Sequence, residues 1–210
     1  MADDTFDARE LAADIDEVVA AQTNLVGHLR NLDRVDPATP SRLPDWTVGH
    51  VLTHLARQAD SVMSMLAGLP QYPEGRAGRA ADIEAGATRS WEVLVDDVAD
   101  TATTVADALS TETNWTGTVE SIAGDRPRSM LPFFRQREVE VHRTDLGLGY
   151  EFADLPVRYL RKELRMMEML WRARKPMGMT TLPAAALTLD PSTRLAWMMG
   201  RVEIDGLAPA

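Results

Sequence analysis

The sequence has no cysteine among its 210 residues, which removes disulfides, thiolate metal sites and an internal cysteine nucleophile from consideration. Any thiol chemistry must use a thiol from outside the chain. No apolar run approaches the ~18 residues of a membrane span. The N-terminal MADDTFDARE has neither a basic n-region nor an apolar h-region, so the expected setting is the cytoplasm. Basic charge is scarce: 22 Lys and Arg against 32 Asp and Glu give a formal net charge of −10, which repels phosphate backbones and anionic lipid alike. Arg135, Arg137 and Arg143 cluster, but they are interleaved with Glu138, Glu140 and Asp145 and form no one-sign stripe. Nucleic acid and membranes are therefore not expected partners. The sequence also lacks a glycine-rich phosphate loop, a nucleophile elbow, a dinucleotide fingerprint, internal repeats and low-complexity tracts.

What is present is helical periodicity, with enough hydrophobic residues (45%) for one principal core and a small appendage. Leu11, Ile15, Val18, Gln22, Leu25, Leu29 and Leu32 step by threes and fours, a helix with one polar interruption at Gln22. Thr47 is placed to cap a second helix that opens at Val48 and stops near Gly68 and Pro70. Gln71 to Gly78 reads as a loop over one end of the bundle. A long third helix is expected from Ile83 through Ala87 and Trp91 to Leu109, then an extended loop from Thr111 to Arg128 with a short strand at Thr116 to Val119. A fourth helix opens near Met130 to Pro132 and ends in Leu146-Gly147-Leu148-Gly149. A fifth runs from Pro156 to about Arg174. In the tail, Ala184 to Leu189 and Arg201 to Asp205 read as strands flanking a short helix from Pro191 to Gly200, a small α/β appendage. The expectation is a mainly α chain: a metal-binding four-helix bundle over residues 1–150, and a helix with a strand-helix-strand appendage over 151–210.

Candidate chemistry sits on two of these helices. His50 and His54 are four residues apart on the second, and Glu138 and His142 repeat that spacing on the fourth; side chains so spaced share one face. Bundle metal sites are built from such inward-facing pairs. Two His and one Glu leave a coordination position open, as catalytic zinc sites do. Spacing leaves Glu140 open as the carboxylate and His50 as a replacement or companion for His54. His50 in the first turn is equally suited to a solvated or capping role, and His28 reads as structural or exposed. Asp145, three residues beyond His142, is placed either to orient an imidazole or to form a helix-end salt bridge. The tryptophans and methionines read as packing residues.

The segment Trp46-Thr-Val-Gly-His-Val-Leu-Thr-His54-Leu-Ala, taken with Arg135-Gln-Arg-Glu138-Val-Glu-Val-His142-Arg-Thr-Asp145-Leu-Gly, resembles the mycothiol-dependent maleylpyruvate isomerase family of the DinB-like metalloenzyme superfamily. The resemblance covers roughly residues 8–150. It implies a four-helix bundle with zinc on His54, Glu138 and His142. It also implies an arginine after the second helix that holds anionic substrate or thiol, for which Arg79 is the first match and Arg76 its rival. Family members are expected to carry a larger C-terminal α/β domain; here the tail is about 55 residues (156–210).

The activity so implied is thiol-cofactor chemistry with mycothiol or a similar low-molecular-weight thiol. The metal lowers the thiol's pKa and the thiolate attacks an electrophile. An isomerase adds thiolate to a cis-dienoic acid, lets the bond rotate and eliminates it again, whereas an S-transferase leaves the thiol on the substrate. Arg79 and Asp145 are the expected catalytic residues, with Arg79 also binding the thiol or substrate. Two other classes stand beside this one: a metal-assisted hydrolase with Glu140 or Asp145 as base, and a metal-binding regulatory bundle without catalysis.

Overall fold

The computed structural model describes residues 6–174 and 180–210; the first five residues of the acidic N-terminal run lie outside them. The chain divides into two units, residues 1–148 and 149–210.

In the first unit side chains mark where several of the helices begin. Asp7 accepts from the N–H groups of Arg9 and Glu10 and starts α1 (Ala8–Asn31). Thr47 is the N-cap of α2 (Val48–Leu66). The expected single third helix is instead two, α3 (Gly75–Gly86) and α4 (Trp91–Thr111). The break comes because Gly86 ends one helix and Ser90 caps the next, its Oγ accepting from the Val93 N–H. Because α3 already opens at Gly75, with φ of 71°, the loop expected to reach Gly78 is also shorter. A Cβ on Gly86 would collide with the Thr53 side chain, so the missing side chain is what lets α3 lie against α2.

The segment after α4 holds the expected short strand, shifted to begin at Thr118, and a second strand that pairs with it. Strands β1 (Thr118–Ser121) and β2 (Gly124–Pro127) pair antiparallel with Ser121 opposite Gly124. A 3₁₀ turn at Arg128–Met130 leads into α5 (Leu131–Asp145). The Gln71 N–H donates to the Glu120 carbonyl and Arg76 Nη2 to the Ile122 carbonyl, at 3.0 and 2.8 Å. These bonds tie the hairpin to the segment between α2 and α3 and to the first turn of α3.

Helices α1, α2, α4 and α5 close a ring in which α2 packs on both α4 and α5, as does α1. This is the expected four-helix bundle. Its core has two apolar clusters, one around Leu25, Leu52, Leu94 and Val139, the other around Val18, Val62, Val105 and Leu131. Each fully buried Leu or Val there contributes roughly 1.5–3 kcal/mol of transfer free energy. Between the clusters runs a polar layer. Arg135, wholly buried, donates from Nε to Gln22 Oε1 at 3.0 Å and from Nη1 to Gln58 Oε1 and the Leu55 carbonyl at 2.6 and 2.9 Å. The polar interruption of the α1 stripe is one of the three acceptors for this guanidinium.

Among the described residues of the second unit the regular elements are helical: α6 (Val157–Arg172), α7 (Ala184–Leu187) and α8 (Pro191–Met198). The strands expected at Ala184–Leu189 and Arg201–Asp205 do not form among the described residues. Pro183 precedes a run of three alanines, the strongest helix formers, and Val202 and Ile204 have no neighbouring strand to pair with. α6 packs on α8, with the Trp171 and Trp197 rings 5.2 Å apart. Among the described residues, no helix is long and apolar enough to cross a membrane.

Candidate metal centre

Adjacent packing of α2 and α5 turns two sequence spacings into one cluster. A ligand atom from each of His54, Glu138 and His142 lies within 4.8 Å of the others. His54 Nε2 is 3.0 Å from Glu138 Oε2, and His142 Nε2 is 3.4 Å from the same oxygen. Donors in a tetrahedral set with bonds of ~2.0–2.1 Å stand roughly 3.4 Å apart, so small side-chain adjustments suffice for one ion. His, Glu and His are the donor chemistry of a divalent metal, and three protein donors leave a further position open. Glu140 is buried but is not part of the cluster.

The surroundings fix these side chains. Arg79, on α3, reaches His54: its Nη2 donates to His54 Nδ1 at 3.0 Å, and its guanidinium lies 5.5 Å from the Tyr72 ring centre. Arg76 instead holds the hairpin. Because Nδ1 of His54 accepts, its Nε2 carries the proton and donates to Glu138. His142 Nδ1 donates to Asp145 Oδ2 at 2.9 Å, the carboxylate–imidazole pairing that orients metal-binding histidines. Burial pushes the His54 pKa down to about 4. Burial also works against the charge on His142, but hydrogen bonds to Asp145 and then Glu138 outweigh it and raise His142 to about 9. Glu138 shows the same contest: burial favours its protonated form, yet the hydrogen bonds from His142 and His54 hold its carboxyl well below the usual range.

His50 points elsewhere. Its Nδ1 accepts from the Thr47 N–H at 3.2 Å and its Nε2 lies 3.5 Å from Glu84, so it serves the start of α2. His28 is structural, with Nε2 3.0 Å from the Leu148 carbonyl and Nδ1 accepting from Arg143 Nε. Two neighbours escaped the sequence reading. Trp46, taken as packing, sets its ring edge-on to His54 at 5.6 Å. Arg135, which the sequence shows only as a member of a mixed-charge cluster, is buried one helical turn from Glu138; its place beside Glu138 in the motif is the available signal.

The family model described as "Mycothiol maleylpyruvate isomerase N-terminal domain" matches residues 18–147. No curated protein matches the chain. Two solved structures are similar, each with a TM-score of 0.76 and 20% identity over 91% of this chain and 90% of the other. They are a crystal structure of the mycothiol-dependent maleylpyruvate isomerase and one of a histidine-to-alanine mutant of it. At that identity the likeness is one of fold. It extends over nine-tenths of the solved chain, so against these structures the tail is not shortened, contrary to the expectation from sequence. With more than half its length matched, the chain belongs to the mycothiol maleylpyruvate isomerase family.

Proposed function

We propose that this protein is a metal-dependent enzyme that uses mycothiol, or a closely similar small thiol, to isomerise an electrophilic unsaturated acid or to transfer the thiol to such an acceptor. The observation that carries the reading is the His54, Glu138, His142 cluster on a bundle of this family. The residues fit a divalent ion by donor type, spacing and the Asp145 support of His142. An ion bound there, zinc in our reading, supplies the positive charge that keeps an added thiol ionised near neutral pH.

The chain's own groups divide the remaining work. His54, Glu138 and His142 hold the ion, and Asp145 fixes the ring and tautomer of His142 by accepting its Nδ1 proton. Arg79 brings a guanidinium to the same place and pairs with a carboxylate of thiol or substrate. Trp46 walls one side of His54. A hydrolase reading is weaker because the carboxylates available as base are engaged or displaced: Asp145 lies on His142 and Glu140 is outside the cluster.

The test is metal analysis of the purified protein, then turnover of activated cis-dienoic acids by metal-replete protein with and without mycothiol. Thiol-dependent turnover is expected. Equal turnover without thiol would favour the hydrolase.

A further inference from the structure

A cavity of about 250 Å³ lies between α2, α5 and the β1–β2 hairpin. Glu138 belongs both to its wall and to the metal-binding cluster, so the cavity opens directly beside the candidate centre. Val62 and Met65 from α2 and Leu131 and Phe134 from α5 give it an apolar part. Its charged lining is Arg126, Arg135, Arg137 and Glu138, three guanidiniums to one carboxylate in a chain with a net charge of −10. That carboxylate already accepts from His54 and His142.

The guanidiniums differ in kind. Arg126 and Arg137 both lie over the Phe134 ring, at 5.9 and 5.3 Å from its centre. Arg135 is wholly buried, and although burial lowers its pKa to about 10 it stays charged at neutral pH. Its Nε and Nη1 are bonded within the polar layer, while Nη2 has no hydrogen-bond partner among the described residues. With Nη2 itself buried, Arg135 lends the wall its positive charge, and the half-buried Arg126 and Arg137 are the guanidiniums that an anion in the cavity can reach. The volume is below the ~300–1,000 Å³ of pockets for drug-sized ligands, so the occupant is compact.

Resting on the thiol-dependent reading of the adjoining centre, we infer that this cavity is the subsite for the small organic acid. Its carboxylate is held by Arg126 and Arg137, and its carbon skeleton lies against Phe134 and Val62. The hairpin thereby sets substrate selection: β2 supplies Arg126, and the turn residues Ile122 and Ala123 border the cavity. The arrangement leaves Arg79, on the His54 side, to the thiol.

The experiment is calorimetric titration of metal-loaded, thiol-free protein with maleate, a compact dicarboxylate. Binding of one maleate per chain is expected. Arg126→Gln should weaken it at least tenfold, and Ile122→Glu, which adds a like charge at the rim, should weaken it similarly. Both lie on the exposed hairpin, and metal content and thermal midpoint should not change. Arg30→Gln, on the exposed face of α1, should bind maleate as the parent does. Maleate affinity unchanged in both hairpin variants, or no maleate binding by the parent, overturns the subsite. The proposed function fails separately, by absence of metal uptake in the same preparations.

Discussion

Arg79 Nη2 and His54 Nδ1 are 3.0 Å apart, with the guanidinium donating and the imidazole accepting. An ion on His54 Nε2 requires the ring proton on Nδ1, which would set two N–H donors against each other. Arg79 must therefore leave His54 when metal binds, and the released guanidinium becomes available to an anion at the open coordination position. Removing a hydrogen bond worth ~0.5–1.5 kcal/mol from the competing state means that Arg79→Ala should bind metal roughly two- to tenfold more tightly, and an anionic thiol more weakly. Chelator competition measures the first, thiol titration the second. Weaker metal binding in Arg79→Ala would mean that the arginine holds His54 in its ligating pose.

His54→Ala, Glu138→Ala and His142→Ala should each lower metal affinity by more than the ~10–100-fold typical of outer-sphere partners. Asp145→Asn should fall within that span, because it keeps the shape beside His142 and loses the charge. His50→Ala should retain one metal per chain, since its ring serves Thr47. Elemental analysis and competition titration rank the set, and His50→Ala losing metal while His54→Ala keeps it would reverse the ligand assignment.

The same cluster gives the metal-free protein a bell-shaped stability profile. His142, raised to about 9, contributes stability that is complete below its unfolded value of 6.5 and is lost as pH rises through 9. His54, lowered to about 4, acts in the other direction: the unfolded chain takes up a proton near 6.5 that the folded chain refuses until about 4. Stability therefore falls with acidification across that window, and the lowered Glu138 adds to the loss at its acid end. Thermal midpoints of chelator-treated protein should peak near pH 6.5. His142→Asn should remove the decline on the alkaline side; an unchanged alkaline limb would assign it to another group.

Gly49 tests the packing that carries the centre. A Cβ there would run into the Ala87 carbonyl at the turn between α3 and α4, so Gly49→Ala should cost about 1–3 kcal/mol in denaturant unfolding. A neutral result would show that this turn yields freely.

What could be read from sequence was what helical geometry makes local. The four-residue spacings of His50 with His54 and Glu138 with His142 survive as shared faces, and Thr47 announces the start of α2. The third helix was misread because Ile83, Ala87 and Trp91 keep a perfect step of four across a break that Gly86 and Ser90 impose. Gln22 could be seen as an interruption, but its reason lies in Arg135, 113 positions away, and nothing local identifies that partner. The second strand of the hairpin is invisible for a similar reason. Val119 alone of the hairpin's residues is buried, so no alternation announces two strands.

The proposed ligands on α2 and α5 are far apart along the chain: 84 positions separate His54 from Glu138. Neither helix alone carries the full donor set, so an ion held by all three residues would recognise the assembled bundle and not the unfolded polypeptide. Free metal at a hundred times its dissociation constant then adds about 2.7 kcal/mol to the folded state, and its withdrawal returns that margin to proteases that cleave the opened chain. Metal supply would govern how long each copy survives, and depletion should be read first as a fall in abundance.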